Sequence, residues 1–238
     1  QPYLIYYQDS IIIDCVMDNQ SDYYLLLADL TASTDLLPSQ SSEVLQALDK
    51  TLKQMNTDLR EQLVAPLEIN YGDEFAGLFS TPDPIYDLVD AVRHSLRNLA
   101  TFRFVVAHGR IGYASGPIRQ MGGPVFKEAS IALIDLKRTG RFADWRFADA
   151  LSNATLNMLT NTSHVLIEEM TDYQYHVYRS LRRGGSQTDI AATLGKYEQS
   201  ISKAVQRSHA ALVIDTEAIL AERLLEHAKV RAGIARSL

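Results

Sequence analysis

The sequence has only one cysteine, Cys15, among its 238 residues. A single cysteine excludes an internal disulfide and any metal site built from several cysteines, which fits a reducing compartment. No apolar run approaches the roughly 18 residues that a membrane-spanning helix needs. The N-terminal residues also lack the basic start and the long apolar stretch of a signal peptide. We therefore expect a cytoplasmic protein with no membrane partner.

Positive charge is scarce as well, with 23 Lys and Arg against 29 Asp and Glu and a net charge of −6. This balance argues against a uniformly basic nucleic-acid binder. The charge is uneven, because residues 170–238 carry 10 Lys and Arg against 7 acids, whereas the rest carries 13 against 22. A mildly basic segment behind an acidic body is typical of a nucleic-acid-binding appendage.

The apolar pattern over residues 23–115 predicts the order β-α-β-β-α-β. Its first strand, YYLLLADL, is a continuous apolar run, as in a strand that is buried on both faces. The first helix follows an N-cap at Ser41 or Ser42. The order is that of a ferredoxin-like split βαβ unit, so we expect an α+β fold with a mainly antiparallel sheet and helices on one face. A third helix (124–140) and a short strand in WRFAD follow.

Composition and periodicity change near residue 150, and the segments beyond it all have helical periodicity. We therefore divide the chain into three parts. These are an N-terminal β-hairpin extension (1–22), the α+β domain (23–150) and an all-α domain (151–238).

Asp29 lies at the end of the first predicted strand, and two further acids, Asp73 and Glu74, lie in the turn of the predicted hairpin NYGDEFAGLF. In a β-α-β-β core these two places are neighbours, so Asp29 and Asp73 are expected to converge. Two carboxylates, a backbone carbonyl and phosphate oxygens suit the oxygen shell of Mg²⁺, and the small residues after Asp29 offer backbone N–H groups to phosphates. The alternative is a tight turn whose acids, Asp73 and Glu74, are simply solvated.

LLLADLTASTDL and YGDEFAGLF resemble the metal-binding segments of class III nucleotide cyclases. The second also resembles the GGDEF signature of diguanylate cyclases, with Tyr71 in place of its first glycine. The resemblance implies a palm-type, nucleotide-cyclase-like core that binds a nucleotide with Mg²⁺ or Mn²⁺. It makes Asp29, Asp73 and the Leu30 carbonyl the metal ligands, and it places near the nucleotide Thr31, Ser33, Thr34, Gly72 and Glu74.

The third helix departs from the cyclase pattern. Aligned on its Gly-Pro, the catalytic Asn and Arg of cyclases correspond to Lys127 and Ile131. An isoleucine cannot donate a hydrogen bond to charge that develops on the α-phosphate, although the ammonium of Lys127 is a candidate substitute. We therefore expect nucleotide binding without turnover. The alternative is an active metal-dependent nucleotidyl cyclase or transferase.

Residues 182–208, RRGGSQTDIAATLGKYEQSISKAVQRS, resemble the helix-turn-helix units of sigma factors and LuxR-like regulators. Gly195 provides the turn, and five residues are expected to pack together: Ile190, Ala191, Leu194, Ile201 and Val205. DNA contacts are then expected from Arg183, Gln187, Gln199, Ser200, Lys203 and Arg207. The alternative is a helical hairpin that contacts another protein.

The succession of these motifs over about residues 23–215 resembles the SatD family, bacterial proteins with a GDEF-type core and a C-terminal helix-turn-helix. The interpretation is a DNA-binding regulator whose cyclase-like domain senses a nucleotide with Mg²⁺. One such unit would neutralise few DNA phosphates and bind weakly, so we expect a homodimer that binds two half-sites. An apolar stripe on the last helix suggests its interface: Ile219, Leu220, Leu224 and Leu225.

Overall fold

The computed structural model describes residues 22–31, 38–70, 72–112 and 116–235. The predicted N-terminal hairpin lies outside these residues. The strands are β1 (Asp22–Thr31), β2 (Leu63–Ile69), β3 (Glu74–Phe79), β4 (Thr101–Arg110) and β5 (Ala143–Arg146). The helices are α1 (Pro38–Asp58), α2 (Ile85–Leu96), α3 (Pro124–Thr139), α4 (Ala150–Glu168), α5 (Asp172–Arg182), α6 (Gln187–Leu194), α7 (Glu198–Arg207) and α8 (Ala210–Ala235).

The five strands form one mixed sheet in the order β2-β3-β1-β4-β5. The first four strands pair antiparallel, in the ferredoxin-like order expected from the sequence, and β5 adds a parallel strand beside β4. The central strand β1 is buried from Tyr24 to Leu30, as its unbroken apolar run predicts. The α+β class is therefore confirmed.

Helices cover both faces of the sheet, so the expectation of helices on one face was wrong. On one face, Tyr24 and Leu26 of β1 pack with α1 and α2. On the other face, Leu25 and Leu27 pack with α3, which contributes Leu133 among others. Alternate residues of a strand point to opposite faces, so a strand that is apolar throughout needs cover on both sides.

Several predicted boundaries shift. Helix α1 begins at Pro38, before the predicted cap at Ser41 or Ser42, and a proline is tolerated in a first turn whose N–H groups have no helical acceptor. The last strand of the predicted β-α-β-β-α-β order is β4. The predicted strand in WRFAD begins earlier, as β5, because residues Ala143–Arg146 are those that pair with β4.

Three asparagines of α4, spaced four residues apart, line the outer edge of β5. Asn161 accepts from the N–H groups of Phe142 (2.9 Å) and Ala143 (3.1 Å) and donates to the Ala143 carbonyl (2.9 Å). Asn157 accepts from the Trp145 N–H (2.7 Å), and Asn153 binds both backbone groups of Phe147. These amides satisfy the groups that an edge strand leaves unpaired.

Helix α8 packs back onto the first part of the chain. Leu220 and Leu224 are buried in the core that α1 and α2 share with the sheet, whereas Ile219 and Leu225 are each 44% exposed. The predicted stripe is therefore not one free face, because packing within the chain already uses half of it.

No helix in the part of the chain described above is long and apolar enough to cross a membrane.

Candidate functional site

The β2–β3 hairpin sets the position of the predicted acids. The Asn70 N–H donates to the Glu74 carbonyl (2.8 Å), which closes a three-residue turn. Gly72 has φ 66° in that turn, a left-handed conformation that glycine adopts without steric cost. The Leu30 N–H donates to the Asp73 carbonyl (3.0 Å), so the hairpin is tied to the end of β1.

Asp29 and Glu74 are direct partners in the β1–β3 ladder. The side chain of Asp29 is only 7% exposed, and the ammonium of Lys137 on α3 lies 2.8 Å from one of its oxygens. Burial raises the pKa of Glu74, the charge of Lys137 opposes this rise, and the charges of Asp29 and Asp73 add to it. The structure therefore brings the three predicted acids together, with a lysine that the sequence did not suggest.

A second cation lies at the same end of β1. Arg103 is the β4 partner of Asp29, opposite Glu74, and its guanidinium donates to the Thr31 hydroxyl (3.2 Å). Cross-strand partners share a face of the sheet. We call Asp29, Asp73, Glu74, Arg103 and Lys137 the acid–base cluster.

The acid–base cluster differs from the ligand set that the sequence predicted. Among the described residues, no group of three or more His, Cys, Asp or Glu side chains is placed to hold a metal ion. Asp29 is already neutralised by Lys137, and Leu30 is buried. Ser33 and Thr34, expected near the phosphates, lie outside the described residues. The donor chemistry suits Mg²⁺, but Asp29 as it lies is paired with Lys137, and the acids do not form a metal shell.

The structure does not bring Lys127 to this cluster within one chain. Helix α3 begins beside the end of β4, where the Cβ of Val125 faces Gly109, and that end of β4 pairs with the start of β1 at Asp22. Lys127 therefore lies near the opposite end of β1 from Asp29, a separation of about 20 Å at ~3.3 Å per residue.

Helices α5, α6 and α7 form a second compact unit. The positions predicted to pack together do so: Ile190, Ala191 and Ile201 are buried, with Leu194 and Val205 packed against them. Gly195 ends α6 with φ 60°, in the left-handed conformation expected of the turn.

The predicted DNA-contact residues lie mostly on the outside of this unit. Gln199, Lys203 and Arg207 on α7 are exposed, and Ser200 is half-buried. The other two predicted residues, Gln187 at the start of α6 and Arg183 at the end of α5, are exposed as well. Tyr197, which the sequence did not single out, is 85% exposed just before α7.

A buried network of charges joins α2 to α5 and α8. Both Tyr86 and Tyr178 donate to one oxygen of Glu217, at 2.9 and 2.8 Å. Arg182 donates to the other oxygen (2.9 Å) and also pairs with Asp90 (3.0 Å). Burial raises the pKa of both tyrosines, and the charge of Glu217 raises it further for Tyr178.

Arg179 pairs with Asp90 too. Ion pairs as well as apolar contacts therefore hold the α5–α7 unit against α2, which packs on the sheet. No pattern in the sequence indicates this network, since its members are spread over α2, α5 and α8.

Comparison with known proteins gives a family and a structural likeness. No curated protein matches the sequence. The crystal structure of the guanylyl cyclase Cya2 is similar over 49% of this chain and 71% of that chain, at 13% identity and a TM-score of 0.33. This score is too low to show a common fold. The SatD family model matches residues 23–194, from β1 to the end of α6, and the chain therefore belongs to the SatD family.

Proposed function

We propose that this protein is a DNA-binding regulator in which α6 and α7 act as a helix-turn-helix and α7 enters the major groove. One observation carries the proposal. The inner face of α7, with Ile201 and Ala204, is buried against α5 and α6, while Gln199, Lys203 and Arg207 are exposed to an external partner.

The outer side chains match the chemistry of DNA. Gln199 can bind an adenine edge with two hydrogen bonds, and Lys203 can reach a guanine edge or a phosphate. Arg183 and Arg207 supply charge for phosphates. Glu198 and Asp189 are exposed beside them and reduce the positive field. One unit should therefore bind weakly, and a dimer that pairs two half-sites is part of the proposal.

The second part of the proposal is that the acid–base cluster senses a nucleotide with Mg²⁺. Asp29 and Asp73 would hold the ion, which when bound would screen phosphate charge. Lys137, Arg103 and Thr31 lie at the same sheet end and are suited to bind phosphate oxygens. Lys127, the candidate donor for turnover, lies near the other end of the sheet, which favours a sensor.

Fluorescence anisotropy with the full chain and a labelled random duplex tests the DNA part. Lys203→Ala should weaken binding at every salt concentration and reduce the slope of log K against log[salt] by about 1. The matched control is Lys53→Ala, since Lys53 is an exposed lysine on α1. Equal affinities for both variants and the wild type would reject the proposed interface.

A further inference from the structure

A cavity of about 630 Å³ lies between the end of α2, the start of β4 and the α4–α5 connection. Its volume is within the ~300–1,000 Å³ typical of small-molecule sites. It borders the core on the α1–α2 face of the sheet, whereas the acid–base cluster includes Lys137 of α3, on the other face. We call it the α2–α4 cavity; its lining includes Arg93, Arg97, Phe102, Phe142, His164 and Met170.

Arg93 is the unusual residue of this lining. It is 5% exposed, and none of its three guanidinium nitrogens has a partner at normal hydrogen-bond distance among the described residues, although Tyr86 and Asp90 interact with its charge over a longer distance. The rings of Phe142 and Tyr86 lie 5.5 and 5.9 Å from the guanidinium carbon. Such ring contacts stabilise a cation only partly, and a buried guanidinium without hydrogen bonds remains costly.

The nearby acids are hydrogen-bonded to other arginines and leave Arg93 without a direct partner. The buried network has two acids, Asp90 and Glu217, which are shared among Arg93, Arg179 and Arg182. Asp90 already binds both arginines of α5 through one oxygen. The exposed Asp87 also pairs with Arg182 (3.3 Å), so the carboxylates at this junction bind the arginines of α5, and none of them accepts a hydrogen bond from Arg93.

We propose that the α2–α4 cavity binds a small organic anion whose carboxylate or phosphate group pairs with Arg93. Phe102 and Met170 offer apolar surface to the body of such a ligand. Glu168 and Asp172 line the same cavity with side chains 39% and 71% exposed, and their charges repel a polyanion such as a nucleoside triphosphate. The expected ligand is therefore a small anion of low charge, distinct from the nucleotide proposed for the acid–base cluster.

Thermal unfolding of the full chain tests this site with three probes: benzoate, inorganic phosphate and benzamide. Benzamide has nearly the shape of benzoate but carries no charge. We expect benzoate or phosphate to raise the melting temperature by about 3–6 °C at ten times its Kd, and benzamide to have no effect. A response to neither anion, or an equal response to benzamide, would overturn the proposal.

Amino-acid variants test whether the anion that raises the melting temperature binds in the α2–α4 cavity. Arg93→Met should weaken anion binding by about 10- to 100-fold and leave the melting temperature of the free protein equal or higher, because a buried charge without direct hydrogen bonds is removed. Arg141→Met removes an exposed arginine next to β5 and should respond like the wild type.

Ala100→Phe provides an independent check if Arg93→Met folds poorly. Ala100 lines the cavity, so a phenyl ring there occupies the ligand's space while Arg93 keeps its charge. Loss of the anion response in Ala100→Phe supports the site. An undiminished response in a folded Ala100→Phe or Arg93→Met would place the anion elsewhere and overturn the proposal.

Discussion

The ammonium of Lys137 lies 2.8 Å from a carboxylate oxygen of Asp29, although the two residues are 108 positions apart. Asp29 is the last residue but one in the buried part of the central strand, and Lys137 is on the last turn of the helix that covers one sheet face. The pair thus neutralises a buried acid, and a metal ion at this site would compete with Lys137 for the carboxylate. This relationship makes Lys137 the residue to change first.

Lys137→Met should destabilise the protein by about 1–3 kcal/mol, because a buried carboxylate loses its partner; the range is lower than for a fully buried pair since Lys137 is partly exposed. Mn²⁺ should then raise the melting temperature of the variant more than that of the wild type. Thermal unfolding with and without Mn²⁺ measures both effects.

The control is Arg138→Met, at the next position on α3, whose ion pair with Asp135 is exposed. It should change stability by less than about 1 kcal/mol and leave the Mn²⁺ response as in the wild type. If Lys137→Met matches this control in stability and in Mn²⁺ response, removal of the lysine neither destabilises the buried Asp29 nor makes it available to a metal ion. The sensor part of the proposed function then loses its support.

The asparagines of α4 allow a sharper test of the fold. Asn161 binds the backbone of Phe142 and Ala143 and donates to the Asn157 carbonyl. Asn161→Ala should lower the free energy of unfolding by about 2–3 kcal/mol, since backbone groups at the sheet edge lose their partners. Urea denaturation measures this loss.

The matched control is Thr162→Ala, at the next position of α4, where the threonine is exposed. Because alanine favours a helix more than threonine does, this variant should keep the wild-type stability or gain up to about 0.7 kcal/mol. Similar urea midpoints for Asn161→Ala and Thr162→Ala would contradict the edge-capping role.

Two glutamates of α8, Glu217 and Glu226, provide another matched pair of variant and control. Glu217 is buried and binds Tyr86, Tyr178 and Arg182, whereas Glu226 forms an exposed pair with Arg223. Glu217→Ala should cost about 3–5 kcal/mol because it leaves two buried hydroxyls without their acceptor and removes one of the two buried carboxylates that bind Arg182. Glu226→Ala should cost about 0–1 kcal/mol, as measured by the same denaturation. A small loss for Glu217→Ala would show that water replaces the carboxylate.

The sequence predicted those features that depend on local pattern. The apolar run before Asp29 and the spacing of Ile190, Ala191 and Ile201 each reflect one strand or one helix pair, so periodicity identifies them. The pairing of Asp29 with Lys137 could not be predicted this way, because it depends on how α3 packs across the sheet. Asn161 belongs to a visible four-residue spacing, but its partners are backbone groups of another element, which no side-chain pattern indicates.

The histidine His164 of α4 is expected to make the stability of the protein depend on pH. Its ring stacks on Phe142 with centroids 3.7 Å apart, and its Nδ1 lies 3.9 Å from a Glu168 oxygen. Burial first, and then the positive charge of Arg93, lowers the pKa of His164 to about 3. The folded protein therefore keeps this imidazole neutral at pH values where the unfolded chain, with an ordinary pKa of about 6.5, takes up a proton.

The stability that His164 contributes is accordingly complete above about pH 6.5 and falls as the pH decreases toward 3. Between pH 7.5 and 5.0 this loss amounts to about 2 kcal/mol. His164→Phe keeps a ring against Phe142 and has no proton to bind, so its stability relative to the wild type should rise by that amount over the same interval. His176→Phe replaces an exposed histidine of α5 and should retain the wild-type pH dependence. Urea denaturation at the two pH values measures these free energies of unfolding. Equal losses of stability in His164→Phe and the wild type would mean that the imidazole is protonated in the folded protein.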